Sequence, residues 1–121
     1  MPEVGNFDLS FHRGDFNASF EKTKDYLKNY KNVLFYKGLF PDTALSVKDK
    51  KFSFVHMDVD IYESTLHGLD FFYPRMNQGG VILIHDYISS PGVKKAVDDF
   101  FKNKIEPTIE LSGSQCLIVR V

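Results

Sequence analysis

Two short apolar segments, each followed at once by polar side chains, decide the fold of this chain. The first is Phe52-Ser-Phe-Val-His-Met-Asp58, and the second is Val81-Ile-Leu-Ile84, which runs into His85-Asp86. The first segment is rich in aromatic and β-branched residues, which favour strands. The second is apolar on both faces, which is typical of a strand inside a parallel sheet. Both segments are therefore predicted to be strands of one sheet.

Amphipathic helices are predicted after each of these strands. One helix starts near Ser64 or Thr65 and stops at Pro74, because proline lacks the N–H that a helix interior needs. The other opens at Pro91, which suits a first helical turn, and its apolar residues recur at helical spacing as far as Phe101. Each strand is thus followed by a helix that has one apolar side.

The flanking segments complete the predicted order. Residues 17–30 have a helical pattern, and Val33-Leu-Phe-Tyr36 is predicted to be a short strand that pairs directly with Phe52–Asp58. Near the end of the chain, Thr108–Leu111 and Cys116–Val121 are predicted to form a hairpin through Ser112-Gly-Ser. Strands that alternate with amphipathic helices indicate an α/β fold. We therefore predict one α/β domain over residues 1–121, with an open three-layer sheet of about five strands, mostly parallel with a C-terminal antiparallel hairpin.

The composition excludes several classes of protein. The 121 residues include 15 Lys and Arg and 16 Asp and Glu, so the sequence has no excess of basic residues, as a nucleic-acid binder would have. One cysteine cannot form an internal disulfide. The longest apolar run is Val81–Ile84, far short of the roughly 20 residues of a membrane helix, and we see no signal-peptide pattern. These features predict a cytoplasmic protein with no membrane or nucleic-acid partner.

The chemistry-bearing residues follow the two central strands. Asp58 and Asp60 end the first strand, and His85 and Asp86 end the second. Neighbouring strands lie about 4.8 Å apart, so a right-handed crossover brings these ends together. Two such close carboxylates repel each other unless a proton or a cation lies between them, and Mg²⁺ favours oxygen ligands. The alternative is that each aspartate caps the helix that follows it.

The histidines and the cysteine have different expected roles. His85 is a candidate general base, because the ordinary pKa of histidine lies near neutral pH. His56 lies inside a predicted strand and is expected to be a hydrogen-bonded core residue. Cys116 is expected to be an inert buried thiol.

Three collinear motifs carry a family resemblance that extends over nearly the whole chain. They are Phe54-Val-His-Met-Asp-Val-Asp-Ile-Tyr-Glu-Ser-Thr65, Tyr73-Pro-Arg-Met-Asn-Gln-Gly-Gly-Val-Ile-Leu-Ile-His-Asp-Tyr87 and Pro91-Gly-Val-Lys-Lys-Ala-Val97. Together they resemble the macrocin O-methyltransferase family. The resemblance implies a class I S-adenosylmethionine-dependent enzyme that requires Mg²⁺ and methylates a hydroxyl of a sugar or similar small molecule.

The resemblance also assigns roles to residues of this sequence. It implies that Asp58 and Asp86 bind the metal; Asp58 and the candidate general base His85 are the expected catalytic residues. His85 stands where the family has an aspartate, so a nitrogen ligand replaces an oxygen ligand, and the alternatives to Mg²⁺ are Mn²⁺ and no metal at all. By resemblance, the residues near S-adenosylmethionine are Gly38, Phe40, Pro41 and Asp58.

One feature of the family is missing from this sequence. No Gly-x-Gly pattern precedes the first predicted helix, although enzymes of this class hold the cofactor on a glycine-rich turn after their first strand. The sequence thus resembles the C-terminal two-thirds of such an enzyme, a truncated Rossmann-like fold without the central strands. Open sheet edges then face solvent or a partner, which makes a homodimer one expected assembly.

Three functions are consistent with these sequence features. The first is a methyltransferase whose missing part is supplied by a partner chain or by the rest of a longer gene product. The second is a non-catalytic domain that binds a partner or oligomerises. The third is a metal- or phosphate-binding domain that resembles a phosphoacceptor receiver, with Asp58 at its centre. A receiver also needs acidic residues after its first strand and a lysine at a late strand end, and neither is evident.

Overall fold

The computed structural model describes residues 4–8, 12, 14–15 and 17–121. Its helices are α1 (Phe20–Tyr26), α2 (Tyr62–Phe72) and α3 (Pro91–Phe101), with 3₁₀ helices at Asp42–Val47 and Tyr73–Arg75. Its strands are β1 (Phe52–Met57), β2 (Met76–Ile84), β3 (Ile109–Leu111) and β4 (Gln115–Val119). Within these residues, no helix is long and apolar enough to cross a membrane.

The strands form an open sheet in the order β1-β2-β4-β3. β1 and β2 are parallel, whereas β4 runs antiparallel to both β2 and β3. The predicted α/β fold and the C-terminal hairpin are therefore confirmed. The parallel part is confined to one strand pair, so the sheet is mixed rather than mostly parallel. In the part of the chain that the structure describes, it has four strands instead of about five.

The prediction that Val33–Tyr36 is a strand paired with β1 is wrong. The segment has no strand structure, and β1 pairs with β2 on one side only. Phe35 packs edge-on against Phe20 of α1, with 6.0 Å between ring centroids, and Leu34 is 76% exposed. Phe35 thus finds a partner on α1, whereas Leu34 and Tyr36 stay exposed and pair with no strand that the structure describes. Among the described residues, the outer edge of β1 is consequently open.

The core lies between one face of the sheet and helices α2 and α3. Alternate residues of the strands point to this face, as the period of two in a strand requires. Leu69 of α2 and Val93, Val97 and Phe101 of α3 cover it. The strand residues that they cover are Val55, Met57, Ile82, Ile84, Cys116 and Ile118.

The opposite face of the sheet is apolar and partly exposed. The strand register places Phe54 beside Val81, and Val81 beside Val119. Phe54 is 59% exposed and Val119 is 37% exposed. Contiguous apolar surface of this kind marks an interaction site in many soluble proteins. The register places Leu83 beside Leu117 on the same face.

One predicted helix start moved and the other did not: α2 begins at Tyr62, two residues before Ser64. α3 begins at Pro91 as predicted, with the Ser90 hydroxyl accepting a hydrogen bond from the backbone N–H of Val93. β2 contains a bulge between Met76 and Val81, because Phe52 lies opposite Met76 whereas Phe54 lies opposite Val81. The bulge needs a glycine, since residue 79 has a φ of 76°.

Candidate functional site

The site forms where the two parallel strands end side by side. Met57 lies opposite Ile84 in the register, and the backbone N–H of His85 donates to the carbonyl of Met57 at 2.9 Å. The strand pairing thus continues to the first residue after β2. Asp58 follows directly on the neighbouring strand. Ligands of open α/β sheets collect at this carboxyl edge.

Asp58, His85 and Asp86 come together at this edge. The Nδ1 atom of His85 lies 3.1 Å from an Asp86 carboxylate oxygen and 3.4 Å from an Asp58 carboxylate oxygen. One ligand atom from each residue lies within 4.8 Å of the other two. The structure therefore assembles all three residues that the sequence suggested as metal ligands.

His85 presents its ring nitrogen between the two carboxylates. Nδ1 has no solvent contact and no well-aligned hydrogen bond within the described residues, although the side chain is 36% exposed. The contact with Asp86 is short enough for a hydrogen bond, but the ring N–H does not point along it. A buried polar atom without a directed partner is uncommon and asks for an explanation, such as an ion.

The electrostatics of the site reflect crowded carboxylates. Burial, followed by the charges of Asp58 and Asp86, raises the pKa of the Asp60 carboxyl above its usual value. The Asp86 carboxylate raises the pKa of the His85 imidazole, although burial opposes that shift. Burial alone would raise the pKa of Asp86, but the Ser89 hydroxyl and the His85 ring outweigh it and lower the pKa. A cation relieves such repulsion.

The backbone around the site is held in an uncommon conformation. Asp60 and Asp86 have φ angles of 65° and 59°, a left-handed region that aspartate tolerates better than most residues. The Ser89 hydroxyl donates to the Asp86 carboxylate at 2.7 Å. Ser114, from the β3–β4 turn, accepts hydrogen bonds from the backbone N–H groups of residues 88 and 89. Such strained positions often occur at functional sites.

The alternative role of the aspartates as helix caps is wrong. α3 is capped by Ser90, and the first N–H of α2, on Tyr62, donates to the buried Asp8 carboxylate at 3.0 Å. The sequence did not predict this capping role of Asp8, because Asp8 lies 54 residues from Tyr62 and no local pattern connects them. Asp58 and Asp86 are thereby left for another role.

The other residues singled out from the sequence lie in different surroundings. His56 is exposed rather than buried, because it points to the open face of the sheet, with its ring 6.5 Å from that of His85. Cys116 is buried as predicted, and burial raises the pKa of its thiol to about 12. It is therefore protonated and unreactive at neutral pH.

The segment suggested for cofactor binding lies along α2. The ring of Phe40 stacks on that of Phe72, with 6.3 Å between centroids. Gly38 has a φ of 150°, and Pro41 follows Phe40 through a cis peptide bond. The cofactor role of Gly38, Phe40 and Pro41 remains a prediction.

Comparisons with known proteins agree with this architecture. The family model of the macrocin-O-methyltransferases (TylF) matches residues 9–117. The demethyldecarbamoylnovobiocin O-methyltransferase of Streptomyces niveus is 31% identical over 103 residues, which cover 80% of this chain and 39% of that protein. The 8-demethyl-8-(2,3-dimethoxy-alpha-L-rhamnosyl)-tetracenomycin-C 4'-O-methyltransferase of Streptomyces olivaceus is 30% identical over 112 residues, which cover 83% of this chain and 42% of that protein.

The same fold occurs in solved structures. The O-methyltransferase NovP superposes with a TM-score of 0.78 at 24% identity, over 98% of this chain and 56% of that chain. CalS11, a TDP-rhamnose 3'-O-methyltransferase, superposes with a TM-score of 0.54 at 18% identity, over 65% of this chain and 36% of that chain. The chain thus spans about two fifths of the length of the curated relatives named above. Because the family model matches most of its residues, the chain belongs to the macrocin O-methyltransferase family.

Proposed function

We propose that this chain forms the metal-binding and acceptor-binding part of an O-methyltransferase that acts on a hydroxyl of a sugar or similar small molecule. The observation that carries the proposal is the cluster of Asp58, His85 and Asp86 at the carboxyl edge of the sheet, in a member of an O-methyltransferase family. The similar O-methyltransferase of Streptomyces olivaceus bears a name that specifies a rhamnosyl substrate, which supports a sugar acceptor.

The donor set fits a divalent cation. Two carboxylates supply the negative charge, and Ser89 holds Asp86 in place as outer partners of metal ligands commonly do. A bound divalent cation supplies Lewis-acid polarisation of the acceptor hydroxyl. Asp58 is 55% exposed and His85 is 36% exposed, so an acceptor can reach both. Either residue can take the hydroxyl proton, and His85 does so only through a nitrogen that is not bound to metal.

The residues of this chain do not by themselves fit S-adenosylmethionine. No Gly-x-Gly pattern precedes α1, and glycines are what allow a backbone to approach such a ligand closely. Binding of the methyl donor in this proposal requires residues beyond this chain, from a longer polypeptide or from a partner. Gly38, Phe40, Pro41 and Asp58 are the residues that we assign to the donor side here.

Acceptor binding without donor binding is therefore the expected behaviour of the chain. Methyl α-L-rhamnopyranoside is titrated against the Mn²⁺-loaded chain, and we expect its NMR lines to broaden as the sugar approaches the paramagnetic ion. S-adenosylmethionine, measured by calorimetry with and without metal, is expected to bind weakly or not at all. Asp86→Asn should abolish the broadening. Asp70→Asn, on α2, is the matched control and should leave the broadening unchanged.

Two results would count against this proposal. Micromolar binding of S-adenosylmethionine by the monomer would show that the chain holds the donor by itself. Broadening that persists at a concentration at which Asp86→Asn no longer holds Mn²⁺ would show that the sugar does not approach the ion at this site.

The open sheet edge and the apolar face supply a second, non-catalytic candidate function. Phe54 and Val119 lie exposed on that face, and the outer edge of β1 is unpaired within the described residues. An open edge with apolar neighbours readily pairs with another chain. This observation favours a domain that associates with a partner, including a second copy of itself.

Self-association through this face is expected to be measurable. Analytical ultracentrifugation of the chain should show a concentration-dependent dimer, because pairing buries Phe54 and the edge of β1. Phe54→Lys should shift the chain to monomer, whereas Ile105→Lys, at an exposed position outside the strands, should leave the dimer unchanged. A parent chain that stays monomeric at all concentrations would contradict this assembly.

A further inference from the structure

We infer that the cluster of Asp58, His85 and Asp86 prefers a first-row transition metal ion, such as Mn²⁺ or Co²⁺, over Mg²⁺. This inference rests on the metal site of the proposed function and concerns which ion that site selects. The selecting residue is His85, which contributes the nitrogen of the set.

The spacing of the ligand atoms suits one shared ion. Two ligand atoms that are each about 2.1 Å from an ion at a right angle lie about 3.0 Å apart. Nδ1 of His85 lies 3.1 Å and 3.4 Å from the carboxylate oxygens of Asp86 and Asp58. Little movement is therefore needed for all three to bind one ion, with the ring nitrogen as a ligand.

The orientation of His85 supports direct nitrogen ligation. Its Nδ1 atom faces both carboxylates and has no well-aligned hydrogen bond within the described residues. The backbone N–H of His85 is held by the carbonyl of Met57, so the residue continues the β1–β2 pairing and is fixed in place. With the backbone held in this way, Nδ1 lies between the two carboxylates without solvent contact, where it can bind an ion that they share.

The chemistry of the donors then sets the preference. Imidazole nitrogen suits transition metals, and affinity for such a site rises from Mn²⁺ towards Co²⁺ and beyond. Mg²⁺ loses its bound water reluctantly and prefers carboxylate and phosphate oxygens, so a neutral nitrogen ligand adds little to the affinity for Mg²⁺. Two carboxylates also attract a hard ion less strongly than three would. The nitrogen therefore strengthens binding of the transition metals more than that of Mg²⁺.

The preference is tested by calorimetric titration of the metal-free chain with Mg²⁺, Mn²⁺ and Co²⁺ in parallel. We expect Mn²⁺ and Co²⁺ to bind at least tenfold more tightly than Mg²⁺. His85→Asp should lower the ratio of Co²⁺ to Mg²⁺ affinity at least tenfold, because an oxygen ligand replaces the nitrogen. His67→Asp, which makes the same exchange on the exposed side of α2, should leave the ratio unchanged.

A spectroscopic readout on the parent chain keeps the test independent of any variant that folds poorly. Electron spin echo measurements on bound Mn²⁺ should show coupling to an imidazole nitrogen. Absence of that coupling would overturn the preference and leave the metal site intact. The same conclusion would follow if the three ions bound with equal affinity and His85→Asp did not change those affinities. Failure of all three ions to bind would instead overturn the metal site of the proposed function.

Discussion

Glu106→Ala is expected to lower the free energy of unfolding by about 2–4 kcal/mol, because it removes the acceptor of a charge-assisted hydrogen bond and of two further hydrogen bonds. The Glu106 side chain is fully buried, and its carboxylate accepts a hydrogen bond from Arg120 at 2.6 Å and from the Tyr73 hydroxyl at 3.0 Å. The backbone N–H of Val121 donates to it as well. Truncation of Glu106 removes the carboxylate that accepts these three hydrogen bonds.

The measurement is urea unfolding of the parent and the variants, followed by circular dichroism. Glu106→Gln retains the size of the side chain and should lose less stability than Glu106→Ala. Glu110→Ala, at an exposed position on β3, is the matched control and should change stability by less than about 0.5 kcal/mol. A Glu106→Ala protein as stable as this control would show that the buried pair contributes nothing.

The same carboxylate gives stability a defined pH dependence. Burial acts to raise the pKa of Glu106, but the hydrogen bonds from its own backbone, Tyr73, Arg120 and Val121 outweigh it and hold the pKa below its usual value. A lowered pKa in the folded state means that the stabilisation is fully present above the ordinary carboxyl range and is lost as the pH falls through the folded-state pKa. Glu106→Gln should flatten this part of the stability profile.

Asp58→Asn and Asp86→Asn are each expected to weaken Mn²⁺ binding at least tenfold, about 1.4 kcal/mol. Each change removes one of the two negative charges that face His85. Asparagine also tolerates the left-handed backbone of residue 86, so loss of binding cannot be attributed to a strained loop. Calorimetric titration measures the effect, with Asp70→Asn as the exposed control.

The two variants are expected to differ in stability. Although burial opposes the shift, the Ser89 hydroxyl and the His85 ring lower the pKa of Asp86 in the folded protein, so Asp86→Asn should lower the free energy of unfolding at neutral pH. The charge of Asp58 raises the pKa of Asp60, so Asp58→Asn relieves repulsion and should not make the metal-free protein unfold more easily. If both variants bind Mn²⁺ as the parent does, Asp58 and Asp86 are not the ligands.

The parts of the fold that sequence predicted are those whose signal is local. Sequence correctly predicted a strand at Val81–Ile84 and a helix at Pro91–Phe101. A short continuous apolar run indicates a buried strand, and apolar residues at helical spacing indicate an amphipathic helix. Val33–Tyr36 was wrongly assigned, since four apolar residues fit a strand and a packed loop equally well. The contact between Phe35 and Phe20 joins separate segments, and no periodicity reveals it.

The candidate site shows the same division. Its three central residues follow strand ends, so the general rule for α/β sheets was enough to bring Asp58, His85 and Asp86 together. The residues that support them were not predictable. Ser114 reaches the loop after β2 from the hairpin turn, and Asp8 reaches α2 from near the start of the chain. Such contacts join distant segments and depend on the finished fold.

The most direct test of the metal site is a crystal structure of the chain grown with MnCl₂, with diffraction data collected at the manganese absorption edge. We expect an anomalous difference peak between the carboxylates of Asp58 and Asp86, within about 2.2 Å of a ring nitrogen of His85. A peak at another position, or no peak in crystals of chain that bound Mn²⁺ in solution, would contradict this expectation.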